Sequence, residues 1–463
     1  MPHGRRRSYR MGLISLGCAK NEVDAERILG AAAEAGWLVC GDPADADVVV
    51  VNTCGFIEAA KIESLGAIQE ALDLKAGGRC RAVIVAGCLA ERYGRELARE
   101  LPGVDAWLGI ADPRQLPALA AGLLERPAPR PVVALEPLPG GFGAEGPRLR
   151  ITPRHYAYLR ITEGCDNRCS YCAIPLIRGP LRSKPLETCL DEARDLAADG
   201  CRELVLIGQD TTNYGLDLTG CRSLPRLLAE LAEIEPLHWL RVLYSHPAHF
   251  DAATLDAFAA TPKLCPYVDL PIQHASDPVL TRMGRRTTRA AMADLIARLR
   301  ERIPGLVLRT TVLVGYPGET EADFAALLDF IGAVEFDRLG AFAYSEEEST
   351  PAAAEGPAVP PAVREARRGE VMRRQQAIAF RKAKARVGAR AEVVLDRRLG
   401  AGLFAGRSYA EAPDVDGLIH VRGRGLGAGQ FVEAEITDAV GYDLEARVGG
   451  KATRREEAHG SRA

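Results

Sequence analysis

Three closely spaced cysteines are the residues of this sequence best suited to metal chemistry. Cys165, Cys169 and Cys172 are spaced C-x3-C-x2-C within the stretch EGCDNRCSYCAIP. Cysteine thiolates hold iron-sulfur clusters, and four of them are needed to coordinate every iron of a 4Fe-4S cluster. Three ligands would leave one iron free to bind another molecule. The spacing therefore predicts a cluster that takes part in chemistry rather than one that only stores electrons.

Two other interpretations of the same three cysteines must be weighed. Positions i, i+4 and i+7 also form the apolar stripe of a helix, and free cysteine packs well in protein cores. The neighbouring Gly164, Asp166, Asn167 and Pro175 favour a loop instead. A zinc ion held by three cysteines and a water is a further alternative, although no fourth Cys or His lies within the usual few residues.

A second set of three cysteines follows apolar runs near the start of the chain. The runs GLISLGC, DVVVVNTC and AVIVAGC end at Cys18, Cys54 and Cys88, and helical patterns at 22–34 and 58–74 separate them. This alternation predicts a parallel α/β sheet, whose ligands gather beyond the carboxyl ends of the strands. We expect the three thiols to meet at one sheet edge and hold a second cluster, the alternative being three unrelated thiols. The remaining cysteines share no such arrangement and are interpreted as packing or surface residues: Cys40, Cys80, Cys189, Cys201, Cys221 and Cys265.

The middle of the chain has the pattern of an open barrel. Six strand-like runs, from YAYLRIT to LGAFAY, alternate with helical stretches such as 287–302 and 319–334. The cysteine loop follows the first run, and active sites of βα barrels lie on the loops after the strands. Polar and glycine residues at the other strand ends are therefore candidates for the same site: Gly208, Gln209, Asp210, Ser245, His246, Gln273, His274, Gly315 and Gly318.

Proline-rich segments and short strands suggest how the chain divides. Residues 126–154 contain seven prolines and four glycines, which favours a linker over a helix or a central strand. A helical pattern at 364–387 leads into short strands with glycine turns, typical of a small barrel. We expect an N-terminal α/β domain, a linker, an open (β/α)6 barrel, a small all-β barrel and a disordered tail, with the bounds 9–125, 126–150, 151–382, 383–450 and 451–463.

Composition restricts the cellular setting. The 463 residues carry 59 basic and 62 acidic side chains, a net charge of −3, so no overall field favours nucleic acid. Twelve cysteines are too few for a disulfide scaffold in so long a chain and indicate a reducing compartment. Arg5, Arg6 and Arg7 precede an apolar run that breaks at Gly17, and no run is long enough for a membrane span. We expect a cytoplasmic protein without membrane contact.

The stretch around Cys165 resembles the cluster loop of the radical S-adenosylmethionine (SAM) enzymes. The resemblance implies that SAM binds the open iron and is cleaved reductively to a 5'-deoxyadenosyl radical. It also implies that Tyr171 lies beside the adenine. Together with their positions at strand ends, it makes Gly208, Gln209, Ser245 and Gly315 candidate SAM contacts.

From residue 9 to residue 449 the sequence resembles the methylthiotransferase family of radical SAM enzymes. This resemblance implies two 4Fe-4S clusters, with the auxiliary cluster on Cys18, Cys54 and Cys88 presenting sulfur. SAM would serve both as methyl donor and as radical source, and the terminal barrel would be a TRAM domain. Since the cofactors would carry the difficult step, we expect no catalytic triad and no essential general base.

The family divides by substrate into a branch that modifies a tRNA adenosine and one that modifies an aspartate of protein twelve of the small ribosomal subunit. The segments ISLGCAKNEVDAE, DLPIQHASD and GRSYAEAPDVDG resemble the second branch, whereas YSEEESTPA departs from it. Residues 386–450 carry eight basic and ten acidic side chains, 8 − 10 = −2, and Glu346, Glu347 and Glu348 form an acidic run. We therefore expect a basic ribosomal protein as substrate, a reductant protein and a sulfur donor as partners, and no dominant RNA binding by the TRAM domain. The alternatives are the tRNA branch and a non-enzymatic iron-sulfur sensor or electron carrier.

Overall fold

The computed structural model describes residues 9–110, 112–126, 128–135, 142 and 146–449. The predicted tail at 451–463 and the three arginines at 5–7 lie outside these residues. No helix in the described part of the chain combines the length and apolar character that crossing a bilayer requires.

The N-terminal unit is a parallel sheet flanked by helices, as predicted. Among the described residues its six strands have the order β2-β1-β3-β4-β5-β6. The runs VVVVNT and AVIVAG are buried along their whole length because helices cover both faces of the sheet. The strands are β1 Arg10–Ser15, β2 Leu38–Val39, β3 Val48–Thr53, β4 Ala82–Gly87, β5 Ala106–Leu108 and β6 Val132–Ala134; the helices are α1 Ala19–Glu34, α2 Glu58–Gly77, α3 Cys88–Glu100 and α4 Leu116–Glu125.

Strand β6 lies within the proline-rich segment that the sequence suggested to be a linker. It pairs in parallel with β5 and forms an edge of the sheet. Proline is tolerated beside edge strands because one side of such a strand needs no ladder hydrogen bonds. Part of the expected linker therefore belongs to the first sheet.

The central unit is the predicted open barrel of six parallel βα units. Two three-stranded parallel sheets, β11-β10-β7 and β12-β13-β14, are joined by a bridge between Leu240 and Leu264. In the described residues β14 is not paired with β7, so the barrel stays open between them. The barrel strands are β7 Tyr156–Arg160, β10 Glu203–Ile207, β11 Trp239–Val242, β12 Tyr267–Asp269, β13 Val307–Val314 and β14 Arg338–Ala343, and a short antiparallel pair is formed by β8 Thr162–Glu163 and β9 Arg182–Ser183.

Helices follow the barrel strands and cover the outside. Their apolar faces form the large core around Leu204, Leu240 and Leu308. The last helix packs along β14 and leads to the terminal unit. The helices are α5 Ile174–Arg178, α6 Leu186–Ala198, α7 Leu216–Thr219, α8 Leu224–Ala232, α9 Ala252–Ala260, α10 Asp277–Arg282, α11 Arg289–Arg302, α12 Glu321–Val334 and α13 Pro361–Ala385.

The C-terminal unit is the predicted small all-β barrel. Its strands close in the order β15-β16-β17-β19-β18, with β18 pairing back to β15. Alternate residues such as Val393, Phe404 and Ile436 point inward and form its core. The strands are β15 Arg390–Gly400, β16 Leu403–Arg407, β17 Ile419–Arg422, β18 Phe431–Val440 and β19 Asp443–Arg447.

The interior of the central barrel is filled by all three units. Val23 of α1 packs there against Tyr158 of β7, which belongs to the barrel wall. Ala410 and Ala412, from the loop between β16 and β17, belong to the same buried cluster. The barrel core is therefore shared between the first sheet, the barrel itself and the terminal domain.

Candidate functional site

Cys18, Cys54 and Cys88 lie together at the carboxyl edge of the first sheet. Thr53 and Gly87 are paired residues of β3 and β4, and Cys54 and Cys88 follow them directly. Cys18 lies just before α1, and each of the three thiols is close enough to influence the ionisation of another. The strand pattern therefore brings three free thiols to one place, as expected from the sequence.

Two cations lie beside these thiols. Desolvation opposes ionisation of Cys18, but Lys20 and Arg178, together with the backbone N–H groups of Asn21 and Lys20, outweigh it and lower the pKa of Cys18 below the ordinary thiol value. Burial raises the pKa of Cys54 and raises that of Cys88 to about 11, although Arg178 acts in the opposite direction on both. Because thiolates rather than thiols bind metal, these cations favour the ligating form.

The loop of Cys165, Cys169 and Cys172 has no regular structure until α5 begins at Ile174, so the loop interpretation is confirmed over the helical one. Gly164, with φ +69°, starts this loop, and a Cβ there would lie 2.0 Å from the Pro180 carbonyl oxygen. The backbone N–H of Asn167 donates to Cys165 Sγ at 3.4 Å. The local fold therefore requires glycine before Cys165 and turns a backbone donor toward its sulfur.

The second triplet is more deeply buried than the first. Burial raises the pKa values of Cys165 and Cys172 to about 12. The buried Arg285 donates from Nη1 to Cys169 Sγ at 3.8 Å and from Nη2 to the Pro271 carbonyl at 2.6 Å. Low solvent access suits a reactive centre, because it strengthens electrostatic interactions and limits side reactions.

The two triplets are adjacent. Cys88 packs in one small apolar cluster with Ala173, the residue after Cys172, and with Ile177. Arg178, at the end of α5, donates from Nη2 to Cys88 Sγ at 3.3 Å. One short helix thus connects the barrel cysteines to the sheet cysteines.

The candidate SAM contacts follow the barrel strands as expected, and two of them carry buried polar atoms without a partner among the described residues. These atoms are Gln209 Oε1, after β10, and Ser245 Oγ, after β11. Gln209 Nε2 donates to Glu163 Oε1 at 2.9 Å, which fixes the amide. Unpaired buried oxygens at the barrel mouth suit a polar ligand such as SAM, since unsatisfied groups of this kind are costly.

Two glycines at the same barrel mouth pack closely against other residues of the chain. A Cβ at Gly208 would lie 2.0 Å from Thr162 Oγ1, and Gly315 has φ +74°. The Gly315 N–H donates to Glu319 Oε2 at 2.7 Å. Tyr171 packs against the buried cluster that includes Tyr316 and Tyr344. Glycine is therefore required at 208 by its close contact with Thr162, and at 315 by its positive φ and its close contact with Arg364.

Two other polar residues at the strand ends, His274 and Asp210, differ in how far the surrounding protein satisfies them. His274 is fully buried, its Nδ1 accepts from the Ser276 N–H at 3.0 Å and its Nε2 lies 3.6 Å from Glu319 Oε2. Asp210 accepts from Asn167 Nδ2 at 2.7 Å and lies 2.8 Å from His249 Nδ1, so it supports the cysteine loop. Asp210 is therefore satisfied within the protein, whereas His274 Nε2 has no hydrogen-bond partner among the described residues.

The described residues contain no site with the ligand grouping that a single metal ion needs. Within the described residues, no three Cys, His, Asp or Glu side chains are grouped as ligands of one ion would be. Ligands of a four-iron cluster each bind a different iron atom and stand farther apart, so this result concerns mononuclear sites such as zinc. Outside the two triplets, Cys221 is exposed, Cys40 is half-buried and the other cysteines are buried: Cys80, Cys189, Cys201 and Cys265.

The predicted acidic run is not a uniform exposed surface. Glu347 is buried and lies 2.9 Å from Lys61 Nζ and 2.7 Å from Arg92 Nη1. The interpretation of Glu346 to Glu348 as a docking surface is therefore wrong for Glu347, which joins the barrel to α2 and α3. Only Glu346 and Glu348 are exposed.

The charge sum of the terminal barrel also differs from the charge on its surface. Arg407 is buried against Asp396 and Glu203, and several carboxylates are at least half-buried. In the described part of residues 386–450, six arginines but only four carboxylates are exposed: Arg390, Arg397, Arg398, Arg422, Arg424 and Arg447 against Asp414, Glu433, Glu435 and Asp438. The sum of −2 therefore does not support a protein substrate over RNA.

Sequence reasoning missed the charged residues between the two triplets. Lys20 lies over the Tyr244 ring, 3.2 Å from its centroid, and Arg178 contacts Asn21 as well as Cys88. A signal was present for Arg178, because it ends an apolar turn directly after the cysteine loop. Nothing in the sequence pattern linked it to Cys88.

Models of known families match three parts of the chain. Residues 10–109 match the family described as uncharacterized protein family UPF0004, residues 159–331 match the radical SAM superfamily and residues 387–448 match the TRAM domain. These matches agree with the fold of the three units.

Solved structures show the same fold at low sequence identity. The radical SAM methyltransferase TsrM from Kitasatospora setae is similar with a TM-score of 0.56 and 17% identity, over 91% of this chain and 80% of that one. The cobalamin-dependent SAM radical enzyme OxsB is similar with a TM-score of 0.51 and 13% identity, over 75% and 55% of the two chains. These similarities concern the fold alone.

Curated relatives are much more similar and nearly as long. Proteins named ribosomal protein uS12 methylthiotransferase RimO are 46% identical in Anaeromyxobacter sp. (strain K), over 95% of this chain and 93% of the relative, and 44% identical in Geobacter sulfurreducens, over 94% and 97%. The relative of the same name in Symbiobacterium thermophilum is 45% identical over 95% and 90%. With this identity over almost the whole length, the chain belongs to the RimO family of ribosomal protein uS12 methylthiotransferases.

Proposed function

We propose that this chain is a radical SAM methylthiotransferase that adds a methylthio group to the β-carbon of an aspartate in ribosomal protein uS12. The observation that carries the proposal is the adjacency of the two cysteine triplets, with Cys88 packed against Ala173 next to Cys172. A reaction that joins sulfur chemistry to radical chemistry needs both centres within reach of one substrate. A separate sensor or electron carrier would not need the two triplets to be adjacent.

The proposed ligands of the auxiliary cluster are Cys18, Cys54 and Cys88, and those of the radical SAM cluster are Cys165, Cys169 and Cys172. The residues suit two 4Fe-4S clusters because each triplet consists of free thiols with a cation nearby. When bound, the clusters and SAM supply the carbon radical, the sulfur and the methyl group, which protein side chains cannot provide.

The chain's own residues bind SAM, orient the reacting groups and exclude water. We propose that Gln209 and Ser245 use their unpaired buried oxygens to bind SAM, while Gly208 and Gly315 contribute backbone at the same strand ends and Tyr171 lies beside the adenine. The burial of the second triplet keeps water from a radical. No general base is needed, since hydrogen abstraction removes the C–H hydrogen directly.

Cysteine substitutions test the division of labour between the triplets. Changing Cys165, Cys169 and Cys172 together to Ala should leave about half of the iron, because each cluster holds four irons, and should abolish SAM cleavage. Changing the other triplet should preserve 5'-deoxyadenosine formation but stop sulfur transfer. The exposed Cys221→Ala is the matched control and should change neither iron content nor activity. Full iron content in the first variant would refute the ligand assignment.

The substrate assignment is tested by assaying the enzyme with each candidate substrate, the ribosomal protein and tRNA. Anaerobic incubation with SAM, sulfide and a reductant, once with uS12 and once with unmodified tRNA, is followed by mass spectrometry of peptides and nucleosides. We expect the methylthio mass on an aspartate of uS12. The exposed arginines of the terminal barrel favour RNA contact as the second candidate. Modification of tRNA with uS12 untouched would overturn the proposed substrate and leave the proposed chemistry in place.

A further inference from the structure

Arg178 belongs to the barrel but contacts the other cysteine triplet. It ends α5, and its side chain is only 2% exposed. Its Nη2 donates to Cys88 Sγ at 3.3 Å and to Asn21 Oδ1 at 2.8 Å. Asn21 in turn donates to the Leu16 and Thr53 carbonyls, both at 2.9 Å. The guanidinium is thus inserted into the carboxyl edge of the first sheet.

Carboxylates from two units hold this guanidinium in place. Both oxygens of Glu163, in β8, accept from Arg178 Nη1 at 3.0 Å. Asp24, in α1, accepts from Nη2 at 2.9 Å. Gln209 also donates to Glu163, so the carboxylate that anchors Arg178 is itself fixed by the barrel mouth. Nη1 serves both oxygens of Glu163, and the two hydrogens of Nη2 are shared among Asn21, Asp24 and Cys88, an arrangement that the compact ammonium of lysine cannot reproduce.

The hydrogen bond from Arg178 to Cys88 lies in a dry environment. Cys88, Ala173 and Ile177 form an apolar cluster around it, and the Cys88 side chain is buried. A charged hydrogen bond is stronger where water is excluded. Hydrogen bonds to ligand sulfurs and the net charge around a cluster are two of the factors that set its reduction potential.

We propose that Arg178 is a positioning residue that holds Cys88 as a cluster ligand and raises the reduction potential of the cluster at the first triplet. The inference rests on the proposed function, because it requires that Cys18, Cys54 and Cys88 hold a cluster. Adding one electron makes the cluster more negative, so a fixed cation bonded to its ligand stabilises the reduced state. The helix that follows the barrel cysteines therefore adjusts the neighbouring centre.

The test measures the potential of the auxiliary cluster alone. In the full chain, Cys165, Cys169 and Cys172 are changed to Ala, and the remaining cluster is titrated with dithionite and followed by electron paramagnetic resonance. Arg178→Gln removes the charge and keeps an N–H donor. We expect the ratio of reduced to oxidised cluster at a fixed potential to fall about tenfold, a shift of about 59 mV for one electron.

Arg160→Gln is the matched control. Arg160 pairs with the same two carboxylates, with Asp24 directly and with Glu163 at 2.8 Å, so this variant also removes a buried cation from the network. It should shift the potential far less than Arg178→Gln, because Arg178 is the donor to Cys88. Arg178→Lys keeps the charge and should restore part of the lost potential. Together the three variants separate the contact with sulfur from a general loss of structure.

Each outcome decides the question. An unchanged potential in Arg178→Gln with full auxiliary iron overturns the proposal, and so do equal shifts in the Arg178 and Arg160 variants. Loss of auxiliary iron in Arg178→Gln but not in Arg160→Gln supports the positioning of Cys88, whereas loss in both overturns it. If the background with Arg178 intact holds no iron, the ligand assignment of the proposed function fails, which is recognised before Arg178 is changed.

Discussion

Glu203 offers a direct test of how the terminal barrel is attached to the central one. It is the first residue of β10, fully buried, and accepts from Arg241 Nε at 2.8 Å and from Arg407 Nη1 at 2.7 Å. Arg407 belongs to the terminal barrel, and its other donors bind Asp396 at 2.8 and 2.9 Å. Glu203→Gln would keep the shape of the side chain but turn an amide donor toward one arginine.

The expected loss of stability follows from burial. Removing one partner of a buried ion pair costs roughly 3–5 kcal/mol, because the remaining charge stays desolvated. Glutamine keeps one acceptor oxygen, so we expect about 3 kcal/mol, a factor of about 100 in the unfolding equilibrium. For a cooperative unit of 150–250 residues this lowers the melting temperature by roughly 6–12 °C.

Calorimetry of the apo-protein at neutral pH measures this effect. The control is Glu230→Gln, which breaks the ion pair between Glu230 and Arg226. Both residues lie on one helix, and both side chains are partly exposed to water. Exposed pairs of this type contribute very little to stability, so the control should melt within roughly 2 °C of the parent. A fall for Glu203→Gln no larger than that of the control would refute the claim that this buried network attaches the terminal barrel.

Three further predictions concern acidity, charge and backbone geometry. Burial and the nearby Asp414 raise the pKa of Glu22 to about 7 from 4.5, so ionisation of Glu22 opposes folding as the pH rises through this range. Glu22→Gln should therefore stabilise the protein by on the order of 1–2 kcal/mol at pH 8 but hardly at pH 5, as measured by urea unfolding at both pH values. Glu347→Lys should destabilise the protein by about 3 kcal/mol in the same assay, because Glu347 is buried against Arg92, whereas Glu348→Lys at an exposed position should change the stability little. Similar losses of stability in both variants would contradict a stabilising role for the buried ion pairs of Glu347. Gly164→Ala should displace the cysteine loop and remove about half of the bound iron, and full iron content would show that the loop tolerates a side chain there.

The sequence predicted the frame of the site because periodic patterns report local structure. The β-branched runs before Cys54 and Cys88 indicated buried parallel strands, and parallel strands place their ends at one edge. The same logic located Gln209 and Ser245 at the barrel mouth. These predictions depended on the backbone, which the period of apolar residues describes well.

The electrostatics of the site could not be predicted in this way. Arg178 reaches a cysteine 90 positions away in the chain, and long side chains make such contacts without any periodic signal. Counting charges in the terminal barrel did not predict its surface charge, because Arg407 is paired with buried carboxylates while other arginines remain exposed. The prediction that Glu347 is exposed failed for a similar reason, since an acidic run does not reveal which of its side chains is buried.

The shared interior of the central barrel has a consequence for how the protein is made. During synthesis Val23 leaves the ribosome first and Ala410 and Ala412 leave late, yet all three pack in one apolar cluster with the barrel wall. Domains usually fold as units while the chain emerges. Here the interior of the barrel stays uncovered until the final domain has been made. A chain that stops before residue 408 is therefore not a smaller enzyme but an unfinished one, with apolar surface open to aggregation.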